Sequence, residues 1–161
     1  MMVPLAVDTA TGRAWEVQGR ALLDAFAAYT DTALVVTPPE YGARVDGLLV
    51  VEGRVVGVVE ARVRTTTLAA LEALGGEYLI TEAKLRAIVA VGRALAVPSY
   101  LVVAFGCGAR WCWHVGDRTG RCLVGHTTRR STTRATSVTP DTVERLNAYL
   151  PLISGWAWEP P

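Results

Sequence analysis

The chain has 161 residues, 51% of them hydrophobic and 19% charged. That suits one domain with a packed core and excludes a disordered or collagen-like chain. No apolar run reaches the roughly 18 residues of a membrane helix, and the first residues lack the basic and apolar regions of an export leader. Three cysteines, Cys107, Cys112 and Cys122, make an odd and sparse set, so a cytoplasmic, reducing setting is expected rather than a disulfide framework.

The net charge of +1 is unevenly spread. Residues 1–106 net −2, residues 136–161 net −2, and residues 107–135 net +5 through Arg110, Arg118, Arg121, Arg129, Arg130 and Arg134. A local basic patch is what phosphate contacts require, although a solvated loop region would carry the same charge. Fifteen arginines stand against a single lysine, Lys84. Arginine suits bidentate phosphate contacts, and a GC-rich genome would produce the same bias.

In chain order, Trp15, Ala21, Leu22, Ala25, Phe26 and Tyr29 have helical spacing, predicting a helix over 15–29. Leu34-Val35-Val36 is a short strand closed by Pro38-Pro39. Residues 44–63 are rich in β-branched residues and broken at Glu52-Gly53, predicting a hairpin. Both of its faces are apolar, as in strands in the middle of a covered sheet. A short helix over 68–74 follows, with threonines before it and Gly75-Gly76 after it. Tyr78-Leu79-Ile80 is strand-like, Thr81 caps a helix from about Glu82 to Ala96, and 100–105 is another buried strand. Residues 111–115 and 121–124 suggest a further hairpin. Thr139 and Pro140 suggest the N-cap and first residue of a last helix. Helix, strand, strand, strand, helix, strand is the order of a mixed sheet with helices on its faces.

Asp46 and Glu60 stand on the two arms of the hairpin, where a covered sheet should be apolar. A buried carboxylate costs free energy unless it is paired or binds a metal. A two-residue turn at Glu52-Gly53 would place Asp46 opposite Val59, with Glu60 on the other face. A three-residue loop, Val51-Glu52-Gly53, would place Asp46 opposite Val58 with Glu60 diagonal to it, about 7–8 Å away. The three-residue loop, or an equivalent bulge, is therefore expected. Arg62 projects to the same face. Two carboxylates can hold Mg²⁺ or Mn²⁺ through hard oxygen ligands, and a nearby cation can position water or offset charge on a phosphate. The bland alternative is a turn acid at Asp46 and a surface ion pair at Glu60.

Asp46 followed by Glu60-Ala61-Arg62 after a hairpin resembles the PD-(D/E)XK nuclease superfamily, and its small phage or bacterial members in particular. The resemblance covers about residues 15–105 and implies a restriction-endonuclease-like α-β-β-β-α-β core. It implies that Asp46, Glu60 and the Ala61 carbonyl are metal ligands, and that Glu16 is the carboxylate some members carry on the first helix. A helix-surface acid is the plainer reading of Glu16. Val45 stands where the motif has proline, and Arg62 where it has lysine. A guanidinium stays protonated and cannot shuttle a proton. Lys84 begins the stripe Lys84, Ile88, Val91, Leu95, and could supply the amine from the helix, as in members whose lysine has moved there; otherwise it snorkels from the core edge.

Cys107, Cys112, His114, Cys122 and His126 are a candidate zinc set without the usual CxxC knuckle. Trp111 and Trp113 could stack bases, though such residues more often cover a core. The expectation is a single α/β domain with a basic β extension over 107–135 and a helix and tail over 139–161. Its expected activity is Mg²⁺-dependent hydrolysis of DNA, with the six arginines on the phosphate backbone. The alternative is a nuclease-fold DNA-binding or assembly module without chemistry. Strandedness of the substrate, exo or endo action, and monomer or homodimer stay open.

Overall fold

Glu52 and Gly53 set the hairpin. Both have positive φ, 49° and 74°, as the two central residues of a type I′ turn require. This is seen in a computed structural model that describes residues 10–38, 44–134 and 140–161. The turn joins β2 (Gly47–Val51) to β3 (Arg54–Val63) and pairs Val51 with Arg54. The expected three-residue loop is thus a two-residue turn. The slip in register comes one step later: Val50 pairs with Val55 but Leu49 with Gly57, so Val56 is an extra, bulged residue. The bulge restores the in-phase relation that the loop was expected to supply, and goes further. With Gly47 opposite Val59, Asp46 falls directly opposite Glu60.

The protein is mixed α/β. Helix α1 (Ala10–Tyr29) leads to β1 (Ala33–Val36), which pairs antiparallel with β2. After β3 come a short helix, α2 (Leu68–Ala73), strand β4 (Glu77–Thr81) and helix α3 (Glu82–Leu95). Strand β5 (Ser99–Ala104) then lies parallel to β3, followed by antiparallel β6 (Arg110–Gly116). Strands β7 (Thr127–Arg134) and β8 (Thr142–Pro151) and a final β9 (Trp156–Ala157) complete the described chain. The main sheet has the order β1-β2-β3-β5-β6-β9, and a second sheet has the order β4-β8-β7. Among the described residues no helix is long and apolar enough to cross a membrane.

The main sheet is covered on both faces, as its two-sided hydrophobicity requires. Leu22, Leu23, Phe26 and Ala27 of α1 meet Val59, Ala61 and Val102 on one face. Leu85, Ile88 and Val89 of α3, with Tyr78, Ile80, Ala148 and Leu150 of the second sheet, meet Val58, Leu101 and Val103 on the other. Gly92 brings α3 close to β5. A Cβ there would lie 2.0 Å from Ser99 Oγ and 2.8 Å from the Val97 carbonyl oxygen. Ser99 Oγ already donates to Ile88 O, so it has little freedom to yield. Gly92→Ala is expected to destabilise the fold by about 1–3 kcal/mol, measured by urea unfolding.

Two C-terminal expectations need correction. The helix expected from Thr139-Pro140 is strand β8; Thr139 itself lies outside the described residues. Ala148 and Leu150 are both fully buried, with the half-buried Tyr149 between them, and β8 has a strand to pair with on each side. Tertiary pairing there overrides a local cap signal. The hairpin expected over 111–115 and 121–124 is β6 followed by a loop touching it through a Gly116–Cys122 bridge. Asp117 Oδ1 ties that loop by accepting from the Thr119 and Arg121 amides. Trp158 docks on α1, its ring 5.2 Å from Phe26. Trp113 is fully buried and donates to Pro151 O, so it is core and not a base-stacking surface. Trp111 donates to Leu152 O.

Candidate active site

Glu60 is fully buried on the face of β3 that α3 covers. A carboxylate in such a place needs partners, and it has two. Arg62 Nη2 lies 2.5 Å from Glu60 Oε1, and Lys84 Nζ lies 2.9 Å from the same oxygen. Arg62 arrives because residues two apart on a strand share a face. Lys84 arrives because α3 begins immediately after β4: Thr81 closes the strand and caps the helix, its hydroxyl accepting from Lys84 N. Lys84 Nζ also donates to Arg44 O at 3.0 Å. It thereby ties the entry to β2 onto β3.

Asp46 is half-buried and held from the backbone side. Its amide donates to Val59 O, and its Oδ2 accepts from Ala61 N at 2.9 Å. Thr37 N donates to Asp46 O, and the Thr37 hydroxyl donates to Val45 O. Burial pushes the Glu60 carboxyl up to about 7; Arg62 pulls against that rise, Asp46 adds to it, and Lys84 pulls against it again. Burial disfavours the Arg62 charge, but Glu60 and Asp46 outweigh it and hold the guanidinium above its ordinary value. Glu60 Oε2 is buried with no hydrogen-bond partner.

Asp46, Glu60, Arg62 and Lys84 therefore meet at one end of the β2–β3 ladder. Glu16 does not join them. It is exposed on α1, which covers the opposite face of the sheet, and among the described residues no ion pair links it to the cluster. The Ala61 side chain belongs to the α1 face; its amide is the group engaged, by Asp46. Tyr78 is a neighbour that the sequence reading passed over. It is buried, its hydroxyl lacks a hydrogen-bond partner, and Arg64 lies 5.6 Å over its ring. Its position in β4, the strand leading straight to Lys84, was the available signal.

The six arginines are not one surface. Arg110 sits over Trp158 at 5.7 Å. Arg118 and Arg121 are exposed in the loop after β6. Arg129 pairs with Glu77 at 2.9 Å and stacks 4.4 Å over Tyr149. Arg130 and Arg134 lie further along β7. The sulfur and imidazole set is also dispersed. Cys112 is buried against α1, His114 stacks on Tyr100, and Cys107 is exposed, its thiol lowered first by the Leu68 amide. Only Cys122 and His126 approach, at 3.9 Å. Among the described residues no three His, Cys, Asp or Glu side chains group as metal ligands. No protein-family model matches the chain, and neither does any curated protein or solved structure.

Proposed function

We propose that the chain is a metal-dependent deoxyribonuclease of the PD-(D/E)XK kind, which cleaves phosphodiester bonds at the Asp46–Glu60 cluster. The observation that carries this is a buried Glu60 holding Lys84 and Arg62, with the Asp46 carboxylate near enough across the hairpin to act on it and bonded to the next residue's amide. The main sheet and its covering helices follow the order α1-β1-β2-β3-α3-β5, which supports it, with β5 parallel to β3 and the helices on opposite faces; α2 and β4 intervene before α3, and β4, expected in the core through residues 78–80, lies in the second sheet instead.

The residues fit a hard divalent cation. Glu60 Oε2 is a buried carboxylate oxygen without a hydrogen-bond partner, and Asp46, held on the Ala61 amide, is close enough to push the Glu60 carboxyl up. Asp46, Glu60 and the Ala61 carbonyl would hold Mg²⁺ or Mn²⁺, with water completing the shell as Mg²⁺ prefers. When bound, the ion polarises a phosphoryl oxygen and lowers the pKa of water. Lys84 places a proton-carrying amine beside Glu60, where it can hand that proton to the leaving oxygen while the attacking water gives its own proton to solvent. Arg62 keeps its proton and offsets charge on the phosphate. Arg62 and Lys84 already balance Glu60 internally, which favours a second reading, a nuclease-fold DNA-binding module without chemistry.

Single-stranded, duplex and branched DNA incubated with Mg²⁺ or Mn²⁺ distinguish the two. Cleavage by the native chain that is lost in Asp46→Ala and Glu60→Ala is expected. Equal cleavage by all three removes the catalytic reading, and binding without cleavage favours the module.

A further inference from the structure

Resting on the nuclease reading above, we propose that the outer half of the β7–β8 pair is an arm that binds duplex DNA, with Arg130 and Arg134 as its phosphate contacts. Strand β4 pairs with β8 only over residues 147–151. Strands β7 and β8 continue alone through five further pairs, from Arg130–Leu146 to Arg134–Thr142. At about 3.3 Å per residue the arm extends roughly 17 Å past the sheet. A two-stranded ribbon of this kind is marginal in water, and its residues are largely exposed.

The register fixes where the arm lies and which way it faces. It starts one pair beyond Thr81, which is paired with Asn147. Thr81 caps α3, so the arm overhangs the end of the domain that holds Lys84 and Glu60. Ala148 and Leu150 of β8 pack into the core shared with α3. By strand alternation, Leu146, Glu144 and Thr142 continue that same face. Arg130, Thr132 and Arg134, their direct partners, therefore lie on the core side of the arm, the side that faces the main-sheet surface carrying Glu60.

Charge makes this face fit a polyanion. Arg130 is paired only loosely, at 3.5 Å from Glu144, with both side chains mostly exposed. Such a pair contributes little, and a phosphate can replace it. Arg134 is exposed, with no ion pair among the described residues. Arg129, by contrast, is committed to Glu77 and Tyr149 on the other face. The partner is duplex DNA for two reasons. The arm carries no aromatic residue in 130–134 or 142–146, and single strands are held by aromatic stacking. A two-stranded β-ribbon also fits the major groove of B-form DNA, whereas the major groove of A-form RNA is too narrow.

The full chain is titrated, without divalent ions so that nothing is cleaved, against a short mixed-sequence DNA duplex. Its single strand and the matching RNA duplex are run beside it. Duplex DNA is expected to bind tightest. Arg130→Gln with Arg134→Gln should weaken it about tenfold or more and reduce the salt slope by about 2. Glu144→Gln, which frees Arg130, should tighten binding several-fold, and melting temperatures should match the native chain. Affinity within twofold of native in the double variant overturns the arm, as does equal binding of the RNA duplex or no binding of DNA by the native chain. The nuclease reading fails separately, if Asp46→Asn and Glu60→Gln cleave as the native chain does.

Discussion

Glu60→Gln is expected to abolish cleavage and, in the same molecule, to remove a pH-dependent weakness of the fold. The loss of activity should be roughly a hundredfold or more, because one of the two carboxylates proposed to hold a cation becomes neutral. The stability effect follows from burial. The Glu60 carboxyl is raised from 4.5 to about 7, chiefly by desolvation, with Arg62 pulling against that, Asp46 adding to it and Lys84 pulling against it. In the unfolded chain it returns to its ordinary value. Between those two values the folded state holds a proton that the unfolded state has released. The Glu60 contribution is therefore fully present below about pH 4.5 and is lost as pH rises through 7, a change of about 3 kcal/mol. Glutamine does not titrate. Relative to the native chain, the variant should gain about that amount between pH 4.5 and pH 8, whatever its starting stability. Urea unfolding at several pH values measures it, and parallel curves for the two proteins would refute it.

The cluster was legible because its parts obey short-range rules. Gly53 announces the turn, and residues two apart on a strand put Arg62 beside Glu60. The stripe Lys84, Ile88, Val91, Leu95 put the amine on the sheet side of α3. The register was less legible. The bulged Val56 sits in a run of valines, with nothing in its side chain to mark it. The two-residue turn without a bulge would have separated Asp46 from Glu60, so the requirement that the acids meet, and not any local signal, pointed to a bulge. Beyond residue 105 local sequence signals decide less of the fold. Thr139-Pro140 is a helix start by local chemistry, yet β8 is set by its neighbour β7 and by the distant β4, in pairs such as Thr81–Asn147 and Glu77–Pro151. The same long-range pairing moved β4 out of the main sheet and split the arginines among a ring stack, an ion pair, a loop and the arm.

Lys84→Met separates the two jobs of the amine. Glu60 would keep Arg62 but lose the second cation on Oε1 and the tie to Arg44 O. Removing one partner of a buried charge costs about 3–5 kcal/mol when the charge remains. Glu60 can escape that cost by taking up a proton, so the penalty should be largest at pH 8 and shrink towards pH 5. Cleavage should fall roughly a hundredfold or more, the contribution of a positioned proton donor. Lys84→Arg is the informative control. It restores a cation beside Glu60 and should recover much of the stability at pH 8, but a guanidinium stays protonated there, so activity should remain low. Arg62→Lys should be far milder, because its charge is kept and no proton transfer depends on it. Initial rates across pH, read beside urea midpoints of the same variants, test this. A Lys84→Met protein that cleaves at the native rate would leave the amine only a structural role, and Arg62 and the bound cation would have to carry the chemistry between them.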